Sequence, residues 1–277
     1  MTTLAPRFST FKWAFSTLGC PELDLDGICA LAREFGISNI ELRSTEQRVD
    51  LPNLFEERFG SPESLSTYLK DQNIHICSLD SSLKLIGNEA KDRQEFLAFL
   101  PWADAIGTPI IRVFDGGTVP VGLTDETFAQ AADTLDWWIE EKSRAGWKAD
   151  MGIETHDALV RHSAIERILK SYPELNIIWD THHTWKKCGD PIPTSWDAVK
   201  SNVCNVHIKD SISEPSARHP FTYTDLGSGE FPLDETLELL QSQDYCGHVS
   251  IEWERMWHPY LGEMREALQQ AKQLNWF

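Results

Sequence analysis

Short apolar runs rich in β-branched residues alternate with longer amphipathic stretches along the whole chain. The apolar runs are too short for helices and are typical of strands that are buried on both faces of a parallel sheet. The order of runs and stretches predicts strands connected by crossover helices. Strands are predicted at Trp13–Ser16, Asn39–Leu42, Ile74–Ser78, Ile110–Phe114, Gly152–Thr155, Ile177–Asp180, Asn205–Lys209 and Val249–Trp253.

The amphipathic stretches have helical spacing. In residues 124–146, Phe128, Leu135 and Trp138 share one face behind Thr124, a candidate N-cap. Strand and helix units repeat over 277 residues without a linker-like segment. We therefore expect a single α/β domain over residues 1–277, folded as a (β/α)8 barrel with parallel strands inside and helices outside. The other predicted helices are DLDGICALAREFG, SPESLSTYLKDQ, KDRQEFLAFLPWADAIG, HSAIERILKSY, TSWDAVKS, LDETLELLQSQ and GEMREALQQAKQL.

Composition and charge exclude several classes of protein. The formal net charge of −18 repels polyanions, so we expect no nucleic-acid partner. The first residues, MTTLAPRFSTFKWAF, do not resemble a signal peptide, and no later run approaches the roughly 18 apolar residues of a membrane span. The six cysteines are scattered, which is typical of reduced thiols. A soluble cytoplasmic protein without a membrane partner is expected.

Ionisable residues end four consecutive predicted strands. In a (β/α)8 barrel such strand ends meet at one mouth, where functional groups lie. One of these residues alone would be an ordinary loop residue, but four together indicate a site. Three carboxylates and one imidazole suit a hard divalent cation and leave about two of six octahedral positions for substrate oxygens. The four residues are Glu154 in IETH, Asp180 in DTHH, His207 in HIKDS and Glu252 in SIEWE.

These four motifs, in this order, closely resemble those of the xylose isomerase-like TIM barrels. That superfamily contains sugar isomerases and epimerases, inosose dehydratase and endonuclease IV-type nucleases. The resemblance covers essentially the whole chain and is strongest from Gly152 to Glu254. It implies that one divalent metal is bound, with Mn²⁺ favoured over Mg²⁺, Co²⁺ and Zn²⁺, and that His183 contacts the substrate. The implied ligands are Glu154, Asp180, His207 and Glu252.

The resemblance also implies an activity. It is that of a metal-dependent sugar isomerase or epimerase acting on a keto-sugar or polyol through a metal-stabilised enediolate, with Glu154 and Glu252 as the acid/base pair. A lyase that dehydrates an inosose or cleaves a 3-keto-glycoside is the alternative, because the same enediolate can expel a β-hydroxyl. Val160 and Ser213 stand where ketose 3-epimerases carry Glu and Arg, so a free ketohexose is not the expected substrate.

Two further classes are less favoured. A non-catalytic barrel subunit could keep the same metal ligands. A nuclease of the endonuclease IV type would need additional histidines on the second and third strands, which here end in IELRS and ICSLDS. The sequence leaves the oligomeric state open between a homodimer and a homotetramer.

Four more residues are candidates for substrate binding. His156 and Lys209 lie two residues past Glu154 and His207, so strand alternation returns them to the same side as those residues. Glu41 and Arg112 lie near the ends of the second and fourth strands and could line the opposite wall of the mouth. A structural ion pair is an equal alternative for each.

A cover over the mouth is expected from residues 211–230. This segment follows the seventh strand and is too long for a tight connection, which is typical of a lid. Its Arg218 and His219 could hold a distal phosphate or carboxylate. Four tryptophans could stack on a sugar, although interior packing is the ordinary role of this residue. They are Trp13, Trp185, Trp253 and Trp257.

Overall fold

The computed structural model describes residues 5–277, and eight of its strands form a closed parallel barrel. Around the barrel the strands follow the order β1-β10-β7-β6-β5-β4-β3-β2. This confirms the predicted TIM barrel. In chain order the strands are β1 (Lys12–Ser16), β2 (Asn39–Leu42), β3 (His75–Ile86), β4 (Ile110–Gly116), β5 (Asp150–Glu154), β6 (Asn176–Asp180), β7 (Val203–Ile208), β8 (Asp210–Ile212), β9 (Thr222–Thr224) and β10 (His248–Ile251).

Helices connect the barrel strands and surround them. Thr124 accepts a hydrogen bond from the backbone N–H of Thr127 and so caps the longest helix as predicted. No helix within residues 5–277 is long and apolar enough to cross a lipid bilayer. The helices are α1 (Leu25–Phe35), α2 (Leu51–Phe59), α3 (Pro62–Asp71), α4 (Ala90–Leu97), α5 (Leu100–Ile106), α6 (Asp125–Ala145), α7 (His162–Ser171), α8 (Thr181–Cys188), α9 (Ile192–Val199), α10 (Leu233–Ser242) and α11 (Met264–Gln273).

Two predicted elements differ from the structure, and two helices were not predicted. The stretch KDRQEFLAFLPWADAIG forms two helices, α4 and α5, because Pro101 lacks an N–H and is tolerated only in the first turn of a helix. The third strand runs past Ser78 to Ile86, with a register shift between Asp80 and Lys84. Helices α2 and α8 were not predicted from the sequence, and α8 includes most of WDTHHTW.

Alternation along the strands separates an apolar outer face from a polar interior. Ile40, Ile111, Ile153 and Val206 belong to the hydrophobic core under the helices. The residues next to them in sequence must face the barrel axis. Several of these inward positions carry ionisable side chains although they are almost completely buried. The interior of the barrel is therefore polar near the predicted site. The ionisable residues are Glu41, Arg112, Glu154 and His207.

The segment at 211–230 folds back over the mouth. Strands β8 and β9 pair in an antiparallel ribbon. The carboxylate of Asp210 holds the end of the segment by accepting hydrogen bonds from the backbone N–H groups of Gly227, Gly229 and Phe231. Tyr223 from this ribbon is 4% exposed, and its hydroxyl lies 3.5 Å from Nε2 of His183. The ribbon therefore covers part of the predicted site.

Candidate metal centre

The barrel brings together the four residues that were predicted as metal ligands. Glu154 and Asp180 end β5 and β6, His207 lies one residue before the end of β7, and Glu252 directly follows β10. One ligand atom from each residue lies within 4.8 Å of those from the other three, and all four residues are buried. Buried carboxylates at such separations repel one another unless a cation lies among them.

The orientation of His207 tests whether a metal fits. Its Nε2 lies 3.0 Å from Oε2 of Glu41, and its Nδ1 lies 3.4 Å from both Oε1 of Glu154 and Oε2 of Glu252. We assign the proton to Nε2, because a carboxylate beside the outer nitrogen is the usual support of a metal-binding histidine. The lone pair of Nδ1 then faces two carboxylate oxygens and has no hydrogen-bond partner among residues 5–277. The donor set fits a hard divalent cation.

The pKa of His207 agrees with this fit. Burial alone would lower this pKa, but the nearby Glu41 and Glu252 outweigh burial and raise it well above the ordinary value. The carboxylates therefore favour a positive charge at this imidazole, and a metal cation on Nδ1 would supply one. A second group of possible ligands shares Asp180 and adds His182 and His183. It offers fewer carboxylates, and Nε2 of His182 is already 2.8 Å from Oγ of Ser211.

Asp180 has two structural tasks, one for each oxygen. Its Oδ1 accepts a hydrogen bond from the backbone N–H of His183 at 2.7 Å and so caps α8. Its Oδ2 lies 2.9 Å from Nδ1 of His183 and 2.7 Å from Nζ of Lys209. The N-cap geometry therefore explains why His183 follows Asp180 by three residues and lies beside the centre.

Lys209 places an ammonium group inside the acidic cluster. Its Nζ lies 2.7 Å from Oδ2 of Asp180 and 2.7 Å from Oε1 of Glu254, and it also donates a hydrogen bond to Oε2 of Glu252. Burial alone would raise the pKa of Asp180, but the Lys209 ammonium outweighs burial and lowers it to about 2. Lys209 therefore shares two carboxylates with the proposed metal position.

Arg112 lies on the other side of Glu154. Its Nε is 3.4 Å from Oε2 of Glu154 and its Nη2 is 3.6 Å from Oδ2 of Asp80, distances typical of ion pairs rather than hydrogen bonds. The guanidinium also lies 4.0 Å from the ring centre of Phe114. Burial, followed by the neighbouring Glu41, raises the pKa of Asp80 well above its ordinary value, and the Arg112 guanidinium opposes that shift.

The other two residues that were predicted to bind substrate are His156 and Glu41, and their surroundings differ. His156 packs edge-on against His183, with ring centres 4.6 Å apart, and its Nδ1 lies 2.8 Å from Asp157. Glu41 lies behind His207 and is completely buried, so its carboxylate is not on an open wall. His182, which was not predicted to bind substrate, is also buried; burial lowers its pKa to about 3, so its imidazole is neutral near pH 7.

The structure also places the residues predicted to cover the mouth. Trp13 lies at the opposite end of the barrel, because it is near the start of β1 and stacks on Trp276 at 5.6 Å; its proposed role at the mouth is wrong. His219 stacks on Phe221, with ring centres 4.9 Å apart. The indole of Trp257 is partly exposed and lies 5.9 Å from the Arg218 guanidinium.

The other two of these four tryptophans, Trp185 and Trp253, pack against neighbouring side chains and backbone. Trp185 packs against Phe231, with ring centres 5.4 Å apart. The Nε1–H of Trp253 donates to the carbonyl of Gly262 at 2.8 Å. Both contacts agree with the ordinary packing role of tryptophan.

Three residues near the centre were missed from the sequence. Glu254 contacts Lys209, Asp80 contacts Arg112, and Arg43 lies just beyond β2. Glu254 and Arg43 follow Glu252 and Glu41 by two residues. The alternation argument that selected His156 and Lys209 would therefore have found both of them.

The fold and the position of the centre define a TIM-barrel protein with its candidate site at the carboxyl ends of the strands. The chain belongs to the family described as xylose isomerase-like TIM barrel, whose family model matches residues 29–276. No protein of curated function matches the chain by sequence.

Several solved structures have the same fold. The probable 3-DHS dehydratase AsbF from Bacillus anthracis, involved in petrobactin synthesis, is 18% identical with a TM-score of 0.77, over 95% of this chain and 98% of that one. The IolI protein, which was solved with a zinc atom, is 18% identical with a TM-score of 0.72, over 95% and 96% of the two chains. A D-tagatose 3-epimerase-like protein is 16% identical with a TM-score of 0.68, over 95% and 96%.

Proposed function

We propose that this protein is a divalent-metal-dependent isomerase or epimerase that moves a proton on the carbon beside the carbonyl of a keto-sugar or related polyol. The observation that carries the proposal is the buried cluster of Glu154, Asp180, His207 and Glu252, with Nδ1 of His207 facing two carboxylates. A divalent cation held by these residues would supply positive charge for the oxyanion that develops when the proton leaves. We propose Mn²⁺ as the native ion.

Glu154 is suited to act as a base. Its Oε1 faces the ligand cluster, 3.4 Å from Nδ1 of His207. Its Oε2 has no hydrogen-bond partner within the described residues and can accept a proton from a bound substrate. Arg112, at 3.4 Å from Oε2, holds that carboxylate in place.

Glu252 approaches the centre from a different side. Strands β6 and β7 separate β5 from β10 around the barrel, so Glu154 and Glu252 lie on either side of His207. A substrate above His207 would have one carboxylate on each side. The two glutamates can then act on different faces of the reacting carbon, one removing a proton and the other returning one.

Proton NMR in deuterium oxide tests the proposal. The metal-loaded protein is incubated with keto-sugars, inososes and 3-keto-glycosides, and exchange of a carbon-bound proton is followed for each compound. Glu154→Gln and Glu252→Gln should each reduce the exchange rate by about 10²- to 10⁴-fold, because each removes a proton-transfer group that is also a proposed metal ligand. Glu166→Gln, at an exposed position on α7, is the matched control and should retain the wild-type rate.

Two results would count against the proposal. Exchange at near-normal rates in both glutamine variants would remove the acid/base assignment. Full exchange after removal of metal by a chelator would remove the metal requirement. Adding Mn²⁺, Mg²⁺, Co²⁺ or Zn²⁺ back separately should restore the rate, with Mn²⁺ giving the largest recovery.

A lyase reaction at the same centre is the second candidate, and Lys209 is the observation that favours it. Its ammonium contacts Glu252 and Glu254 and could protonate a departing hydroxyl. The structurally similar AsbF is described as a probable dehydratase, which supports this alternative. The same NMR experiment separates the reactions, because epimerisation preserves the mass of the substrate and elimination releases water or an alcohol.

A further inference from the structure

Arg43 lies in the wall of the barrel opposite Asp180. It directly follows β2, and strand alternation places its side chain on the same side as Glu41, one layer nearer the mouth. In the closed order of strands, β2 lies four positions from β6 in either direction. A molecule held at the candidate metal centre would therefore extend across the mouth towards Arg43.

The guanidinium of Arg43 is buried and forms no ion pair within the described residues. Arg43 is 5% exposed, its Nη1 donates to the carbonyl oxygen of Asp80 at 3.0 Å, and its Nη2 donates to Oγ of Ser82 at 3.0 Å. No carboxylate within residues 5–277 forms an ion pair with it, whereas the buried Arg112 and Lys209 both have carboxylate partners. An arginine has five N–H donors, so donors remain for a ligand.

Burial makes this position costly for a cation. Burial, followed by the Arg112 guanidinium, lowers the pKa of Arg43 to about 9. The carboxylates of Asp80, Glu154 and Glu252 offset part of this effect, although none of them forms an ion pair with Arg43 within residues 5–277. A buried guanidinium that has donors to spare and no ion-pair partner within the described residues is suited to bind an anionic ligand.

We infer that Arg43 binds a carboxylate at the end of the substrate remote from the reacting carbon, so that the substrate is a keto-polyol acid and not a neutral sugar. This inference rests on the proposed function, because the candidate metal centre positions the reacting end. The contact with Arg43 would be the second one, after the metal centre, that orients the substrate across the mouth. The planar guanidinium can donate two parallel hydrogen bonds to one carboxylate.

A carboxylate suits this position better than a phosphate. Two donors of Arg43 are already used by Asp80 and Ser82. A phosphate carries more charge and more acceptor oxygens than the remaining donors of one guanidinium can satisfy. Arg112 contacts Glu154 and Asp80 and so has less capacity to bind a second anion.

Matched ligand pairs test the inference by binding, independently of turnover. Isothermal titration calorimetry on the metal-loaded protein compares D-fructuronate with D-fructose and D-tagaturonate with D-tagatose, which differ only in a terminal carboxylate. D-Fructose 6-phosphate is the phosphate arm. The carboxylate member should bind about 10- to 100-fold more tightly than its neutral partner, as expected for a charge-assisted hydrogen bond in a buried site.

Substitution of Arg43 should remove this preference. In Arg43→Gln the two members of each pair should bind within about twofold of each other, and Arg43→Lys should retain only part of the preference because it lacks the planar fork. The thermal midpoint of ligand-free Arg43→Gln is measured beside the titrations, so that a lost preference is distinguished from a lost fold. Arg48→Gln, in an exposed ion pair with Glu57, is the control and should behave as the wild type.

The outcomes separate this inference from the proposed function. Any result in which the carboxylate member gains no advantage over its neutral partner overturns the inference, as does a preference that survives in Arg43→Gln. Tighter binding of D-fructose 6-phosphate than of D-fructuronate overturns the choice of a carboxylate. A carboxylate preference that depends on Arg43, without proton exchange in deuterium oxide, would support the anion contact and contradict the proposed function.

Discussion

Oε2 of Glu41 lies 3.0 Å from Nε2 of His207, on the side of the imidazole away from Glu154 and Glu252. The side-chain amide of Asn205 also donates to Oε2 of Glu41, at 2.6 Å. The two contacts fix the Glu41 carboxylate, and it in turn fixes the His207 ring with Nδ1 towards the cluster. An acidic residue from a distant part of the chain thus orients a candidate metal ligand.

Glu41→Gln should therefore weaken metal binding without removing any direct ligand. We expect the affinity for Mn²⁺ to fall about 10- to 100-fold, because a neutral amide accepts the imidazole N–H less strongly and polarises the ring less. Calorimetric titration of the metal-free protein measures the change. Glu126→Gln, on the exposed surface of α6, is the control. An unchanged affinity in Glu41→Gln would show that His207 does not depend on this support.

Two variants of Asp180 should separate its role in metal binding from its role as the N-cap of α8. Asp180→Asn keeps an oxygen that can cap α8 but loses the negative charge, so it should lose metal and retain most of its stability in the metal-free form. Asp180→Ala loses both functions and should be less stable than Asp180→Asn by about 1 kcal/mol. Urea unfolding and elemental analysis measure the two effects. Equal stability of the two metal-free variants would contradict the capping role.

Lys209→Met should affect metal binding and turnover in opposite directions. The ammonium lies 2.7 Å from Oδ2 of Asp180, so its removal leaves that carboxylate free for a metal, and we expect Mn²⁺ affinity to rise about tenfold or more. Turnover should fall, because a positive group beside the reacting substrate is lost.

The two responses are measured by calorimetry and by the exchange assay. Lys200→Met, at an exposed lysine paired with Asp197, is the control. Weaker metal binding in Lys209→Met would mean that the ammonium supports the centre instead of competing with the metal.

His182 should contribute to the acid sensitivity of the metal-free protein. Burial lowers its pKa from 6.5 to about 3, so the folded protein keeps the imidazole neutral while the unfolded chain protonates below pH 6.5. The stability difference is therefore absent above pH 6.5 and grows as the pH falls towards 3. Between pH 7 and pH 5 the contribution of this group is about 2 kcal/mol.

His182→Gln removes that contribution. Urea unfolding at pH 7 and pH 5 should show a smaller loss of stability for the variant than for the wild type, while other histidines titrate in both proteins and cancel in the comparison. An identical loss in the two proteins would contradict the neutral state of His182.

Much of the fold and of the ligand cluster follows from local patterns in the chain. Each barrel strand is a short apolar run, and Glu154, Asp180 and Glu252 stand at the ends of such runs or directly after them. Because parallel strands in a closed barrel end at one mouth, alternation and topology are enough to bring these carboxylates together. Helix α8 could not be predicted in this way. Its N-cap residue is also the end of a strand, and its first turn has no apolar periodicity.

Contacts across the barrel depend on its closure. Nothing in the sequence near Glu41 indicates that its partner is His207, which lies 166 residues later in the chain. Two other features depend equally on which strands face each other. Arg43 is buried without an ion-pair partner among residues 5–277, and the Lys209 ammonium lies among Asp180, Glu252 and Glu254. Local sequence sets strand direction and side-chain alternation, whereas the charges that meet inside the barrel are set by strand order and register.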